Sequence, residues 1–179
     1  MTKHTLIAEA GTREIVMTRI FDAPRELVFK AYTDPQLIPQ WWGPARYTTT
    51  VDRMELRAGG QWRFAQRDAA GNEYAFRGEY REIAPPERLV STFEFEGLPG
   101  HISVETATFE ALPGGRTRLT VQAVFGSVED RDGMLASGME EGAGESWQRL
   151  AGLLSKAGPE GLESSQSPVQ TGRNLNGRE

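Results

Sequence analysis

Few side chains in this 179-residue chain could do acid–base, nucleophilic or metal chemistry, and the one that stands out is a carboxylate on an apolar strand. Glu105 alternates with Ala107 and Phe109, so a strand through this stretch puts all three on one face. A carboxyl carried into an apolar interior without a partner resists ionisation, which is how a cavity acid or base is made. The simpler expectation is that Glu105, near the end of its strand, reaches water. Gln66 poses the same question beside Trp62 and Phe64. The other candidates are poorer. His4 lies in the first dozen residues and His101 in a turn between Gly97 and Ile102, a pairing that suits neither a metal site nor a catalytic base. His101 is expected to be solvated. Ser146 follows Gly144-Glu145 but has no G-x-S-x-G elbow and no partner histidine, and Gly59-Gly60 lacks the lysine and following helix of a phosphate loop. Glu140 and Glu141, adjacent on a helix, point about 100° apart and read as surface. The chain has no Cys, so disulfides and thiolate metal sites are excluded. No metal and no cofactor are expected.

Binding has a stronger signal than catalysis. Trp41, Trp42, Trp62, Phe64, Tyr74, Phe76, Tyr80, Phe93 and Phe109 offer more aromatic surface than one helix easily covers, so part of it is expected to line a pocket and the rest to form core. Trp41 and Trp42 are neighbours on one short turn. Both cannot face fully inward, and one is expected at a cavity mouth or exposed. Late in the chain Gly138, Gly142 and Gly144 sit around Met139 and Ala143, with Trp147 one turn on. Each glycine inside a helix costs roughly 0.8 to 1.0 kcal/mol relative to Ala. Something must therefore approach this helix closely, either the sheet or a ligand.

The elements that would position these residues follow from periodicity. Glu14 to Phe21 reads as a strand, and Asp22-Ala23-Pro24 stops it and opens a helix carrying Leu27, Val28, Ala31 and Tyr32 on one stripe. Asp34-Pro35 ends that helix, and Gln36 to Trp42 forms a short second turn closed by Gly43-Pro44. From Thr48 the period changes to two. Runs at Thr48–Leu56, Gln61–Arg67, Tyr74–Ile83, Leu89–Phe95, Ile102–Leu112 and Thr117–Phe125 are separated by Gly- and Pro-rich turns of hairpin length. Six hairpin-linked strands imply an antiparallel meander, with the first strand joining at an edge. A last amphipathic helix is expected from about Glu129 to Ala157, opened by a capping box at Ser127 to Asp130 and facing the sheet with Leu135, Met139, Ala143 or Gly142, Ser146, Leu150 and Leu153. The fold class is α+β: a curved antiparallel sheet of about seven strands, two short helices and one long C-terminal helix in a helix-grip arrangement. Residues 1–12 read as a flexible tail, 13–157 as one ligand-binding domain and 158–179 as a disordered tail too polar to repay ordering.

Composition narrows the function classes. A net charge of -5 with scattered arginines, and lysine only at positions 3, 30 and 156, gives no basic face for nucleic acid. No stretch approaches the ~20 apolar residues of a membrane span, and the N-terminus has no signal-peptide core. A cytoplasmic protein, monomeric or homodimeric, is expected.

Taken together, Phe21-Asp22-Ala23-Pro24, Val28-Phe29-Lys30-Ala31-Tyr32-Thr33-Asp34-Pro35, Trp41-Trp42-Gly43-Pro44, Gly59-Gly60-Gln61-Trp62, Pro85-Pro86-Glu87-Arg88-Leu89 and Gly138-Met139-Glu140-Glu141-Gly142 resemble the START and birch-pollen-allergen superfamily. The likeness is greatest to its bacterial members grouped with the C-terminal domain of the heat-shock protein 90 ATPase activator. The resemblance implies a deep cavity between the sheet and the last helix, and hence binding of an apolar or aromatic small molecule without required turnover. It leaves two alternatives: a cyclase, dehydratase or hydrolase using Glu105, or a co-chaperone module. Stimulation by the eukaryotic activator needs a separate N-terminal domain, which residues 1–12 are too short to supply. One departure bears on the pocket. Where such proteins often place Trp after the second helix glycine, this chain has Ala143, so either the floor is larger here or Trp147 refills it.

Overall fold

Eight strands form one antiparallel sheet in the computed structural model, which describes residues 3–157. In chain order these are β1 (Thr5–Ile7), β2 (Glu14–Phe21), α1 (Arg25–Thr33), a 3-10 turn (Ile38–Gln40), β3 (Thr48–Met54), β4 (Gln61–Arg67), β5 (Glu73–Ala84), β6 (Arg88–Phe95), β7 (Ser103–Leu112), β8 (Arg116–Val124), α2 (Val128–Ala136) and α3 (Met139–Ala157). The sheet order is β1-β2-β8-β7-β6-β5-β4-β3, curved and not closed. The meander is as the turn spacing predicts, and β2 reaches β8 because α1 and the 3-10 turn carry the chain across the concave face first. That face takes α1 and α3, which is the helix grip.

Three expectations are corrected. Residues 5–7 do not fray: they pair with β2 at Thr5↔Thr18 through Ile7↔Val16, giving an eighth strand and moving the edge from β2 to β1. The buried Arg131 on α2 fastens the following turn, donating to the Glu9 carbonyl at 2.6 Å. Two long-range partners, invisible in a three-residue run, hold the segment. The last helix is two helices, because Gly138 takes φ of +82° and starts a new axis after α2. The Ser127 cap is present, its hydroxyl accepting from the Asp130 N–H at 3.1 Å. The buried face of α3 is Ser146, Trp147, Leu150 and Leu154 rather than the stripe through Leu153, which is half-buried. The proposed C-terminal tail lies outside the described residues.

The main core joins Met17, Phe21, Val28, Phe29, Ile38, Trp41, Phe109, Leu119, Leu150 and Leu154, binding the concave face to α1 and α3. A smaller cluster, Ile15, Ala123 and Phe125, packs beneath Met134 and Leu135 of α2, and Met139 touches both clusters.

Candidate functional site

Register places Glu105 in the middle of the concave face. It sits opposite Ser91 on β6 and Ala123 on β8, and its neighbours along β7 on the same face are Ser103 and Ala107. All four are small. Glu105 thus has no large side chain directly opposite it or next to it along β7 on this face. Glu105 has no hydrogen-bond partner among the described residues, and burial alone pushes its carboxyl up to about 7. Yet its surface is only half-buried. The carboxyl is thus desolvated while part of the residue's surface stays uncovered. β7 begins at Ser103, so Glu105 lies near the strand end as the sequence suggests, but the strand pairs on both sides there and the carboxyl is desolvated.

Tyr32, on α1, has the same signature. Its phenol is pushed well above the ordinary value, chiefly by burial and secondarily by the charge of Glu105, while its surface too is only half-buried. The two groups are thus close enough to feel each other electrostatically without being hydrogen-bonded. Tyr32 Oη accepts from Trp147 Nε1 on α3 at 2.8 Å, and its ring stacks on Trp41 at 4.6 Å and meets the edge of Phe109 at 5.4 Å. Tyr80 lies in the same cross-strand row, opposite Ser91, and is buried, its phenol also raised by desolvation and without a hydrogen-bond partner among the described residues. Sequence reasoning missed Tyr32, Ser91 and Ala123. The helical spacing of Tyr32 was a signal for it, but the two small residues acquire meaning only from the strand register.

The sequence-selected aromatics divide. Trp42, Trp62, Phe64, Phe76 and Phe93 form one continuous aromatic group over β4 to β6, Trp42 meeting the edges of Phe64 at 5.2 Å and Phe76 at 5.3 Å. These rings fill one another's space. Gly78, opposite Trp62, allows this, since a Cβ there would lie 2.5 Å from Trp62 Nε1 and 1.9 Å from the Thr92 carbonyl. Trp41 is buried to 2% and donates to the Ala31 carbonyl at 3.0 Å, so of the two neighbouring indoles it is the core one. Trp42 is half-buried, turned onto the aromatic group. Phe109 is packed by Phe29 and Tyr32, and Trp147 by Phe21 and Tyr32. Tyr74 is exposed at the sheet rim, against Tyr47. Gln66 is buried beneath Gly43, where a Cβ would lie 1.7 Å from its Nε2. Met139 and Ala143 are half-buried on the sheet-facing side of α3.

The glycines of α3 have a different explanation from a ligand. A Cβ on Gly144 would meet the His4 ring at 2.6 Å, and one on Gly142 would rest against Pro44. The N-terminal segment and the 43–47 loop make the close approach. That loop is pinned to α3 by three bonds: Gly43 N–H donates to Ser146 Oγ at 2.9 Å, Arg149 donates to the Gly43 carbonyl at 2.5 Å, and Ala45 N–H donates to Glu145 at 3.2 Å. Ser146 is thus a tether, its own hydroxyl donating to the Gly142 carbonyl. The two histidines likewise have structural partners, His4 with Glu140 and His101 with Asp130 at 2.7 Å, which ties the β6–β7 loop to α2. On the opposite face a cleft of about 390 Å³ is lined by Arg53, Arg63, Arg77, Glu79, Glu94 and Glu96. Most of its charges are paired, Arg63 with Glu96 and Asp52, Arg77 with Glu94 at 2.6 Å, and Arg53 with Glu55. Among the described residues no group of three or more His, Asp or Glu side chains could hold a metal ion, and no helix is long and apolar enough to cross a membrane.

Comparison with known proteins places these features in a family. The model of the family described as Activator of Hsp90 ATPase homolog 1-like protein matches residues 22–155. Among solved structures, a Chromobacterium violaceum protein is 28% identical with a TM-score of 0.71, covering 79% of this chain and 96% of its own. One from Mycobacterium smegmatis is 26% identical with a TM-score of 0.77, covering 86% and 97%. A Rhodobacter sphaeroides protein, 24% identical with a TM-score of 0.79 over 86% and 99%, shares the fold. No curated protein matches the chain.

Proposed function

Because the chain belongs to the Activator of Hsp90 ATPase homolog 1-like family, whose model runs from before α1 into the last turn of α3, we propose that it binds an apolar small molecule between the concave face and α3. The observation that carries this reading is the ring of small side chains around Glu105, overlooked by a Tyr32 that is desolvated yet not fully covered. Apolar burial against Trp147, Met139 and the aromatic group supplies affinity, and the O–H groups of Tyr32, Tyr80 and Glu105 supply orientation. A chain without cysteine suits a reducing cytoplasm. Thermal-shift screening of the full chain against hydrophobic metabolites, with native mass spectrometry of the protein from lysate, tests the reading. A ligand that raises the midpoint supports it; no shift from any compound, with the hollow filled by side chains in a crystal structure, ends it.

The raised pKa of Glu105 favours one second reading, general acid–base turnover of the bound molecule, since a carboxyl poised near 7 can both give and take a proton. Ligand recovered unchanged after prolonged incubation would exclude it. The co-chaperone alternative draws on the family alone, and a pull-down with the bacterial heat-shock protein 90 homologue decides it.

A further inference from the structure

Tyr32 and Glu105 both keep unspent hydrogen-bonding capacity among the described residues. Tyr32 Oη spends one lone pair on the Trp147 Nε1–H, but the phenol's own proton goes to nothing among the described residues. Accepting a bond makes that O–H a better donor, because hydrogen bonds in a chain polarise one another. Glu105, close enough for its charge to act on Tyr32, has no hydrogen-bond or ion-pair partner among the described residues. The groups packed around it are Ser103 and Ala107 on its own strand, Ser91 and Tyr80 on the β6 side, Ala123 on the β8 side and Tyr32 from α1. From α3 the side chains bordering this core are Met139, Ala143 and Trp147, which carry no charge. Arg19, on the same face of the sheet, lies four residues along β2 from the Glu105 row, is held by Gln148, and does not act on the carboxyl. With burial alone pushing it up to about 7, the carboxyl keeps its proton below that pH and there it too presents an O–H.

We propose that Glu105 and Tyr32 together receive a carbonyl oxygen, so that the ligand of this site is an uncharged hydrophobe bearing a ketone, aldehyde, ester or amide group. This rests on the pocket reading above and adds to it the chemistry of the ligand's polar end. Two neighbouring donors with no hydrogen bond between them can share one acceptor, and a carbonyl oxygen has two lone pairs to take both. A cationic amine would instead demand the carboxylate form, would forfeit the Tyr32 donor and would bring a second desolvated charge into the hollow.

The test uses the full chain and three probes with one naphthalene skeleton: 2-acetylnaphthalene, 2-ethylnaphthalene and 1-(2-naphthyl)ethylamine, titrated by calorimetry across the pH range. The ketone is expected to bind at least about tenfold more tightly than the hydrocarbon at about pH 5.5, the ratio falling by up to about tenfold per unit above about pH 7 as Glu105 ionises. The variant Glu105→Gln keeps a donor, so the preference for the ketone persists and its pH dependence disappears. Glu105→Met removes the preference, and Tyr32→Phe weakens it several-fold without moving the pH at which it falls. Equal binding of ketone and hydrocarbon overturns the proposal while leaving the pocket intact, as does preference for the amine with affinity rising through about pH 7. Failure of all three probes, with both Glu105 variants folded, refutes the pocket and the proposal together.

Discussion

The concave face has two halves built on opposite principles. Over β4 to β6 the large rings of Trp42, Trp62, Phe64, Phe76 and Phe93 lie within about 6 Å of one another, and the space is full. Around Glu105 the sheet carries Ser91, Ser103, Ala107 and Ala123, side chains far shorter than the rings of the other half. Sequence inspection drew attention to the first half because aromatics are conspicuous. The second half is where the proposed site lies, since binding needs unfilled volume and an unspent polar group. Abundant apolar surface is a reason for core; small residues around a lone carboxyl are a reason for a site.

The comparison can be broken at several points. Truncation in the full half should cost most: Phe64→Ala removes a ring touching both Trp42 and Trp62, and a loss of about 3–5 kcal/mol is expected in urea unfolding. A loss below about 1 kcal/mol would show the aromatic half to be loosely packed. Gly78→Ala follows, because its Cβ would overlap the Thr92 carbonyl and the Trp62 edge; at least about 3 kcal/mol of destabilisation or failure to express is expected.

In the open half the sign reverses. The carboxyl of Glu105 rises from 4.5 to about 7 on folding, so between those values the folded chain keeps a proton that the unfolded chain has lost. Stability on this account falls as pH rises through that window and stays lower above it. Glu105→Gln should therefore stabilise the protein at about pH 8 by up to about 3 kcal/mol and leave it nearly unchanged at about pH 4. Denaturation curves at both values check this, and a destabilised variant at the higher pH would mean that the carboxylate has a partner. Ser91→Val, which adds apolar volume beside Glu105, should alter stability by less than about 1.5 kcal/mol while abolishing binding of any hydrophobic probe, because a hollow accepts volume that a filled core rejects. The smallest effect is expected at the helix above. His4→Ala removes an exposed contact with Glu140 and the cover on Gly144, and should cost below about 1 kcal/mol, seen as faster hydrogen exchange confined to the first turns of α3.

The chain's own order of residues determined the architecture. Hairpin-length turns after Thr48 leave an antiparallel meander as the only short connection, and the change of period from 3.6 to 2 and back marks helices and strands without reference to anything distant. The family motifs are legible for the same reason, being local strings. What escaped is what depends on distant partners. Thr5–Ile7 is a strand only because β2 offers it an edge and Arg131, more than a hundred residues away, holds the Glu9 carbonyl. The break at Gly138 needed the packing of α2 on Phe125 to decide which way the chain turned. The glycines of α3 signalled a close approach, but only the tertiary structure decided that His4 and Pro44 make it. Glu105 was visible as a carboxylate on an apolar face. Its desolvation, its small neighbours and its view of Tyr32 come from three strands and a helix converging, and burial is a property of that assembly rather than of the residue.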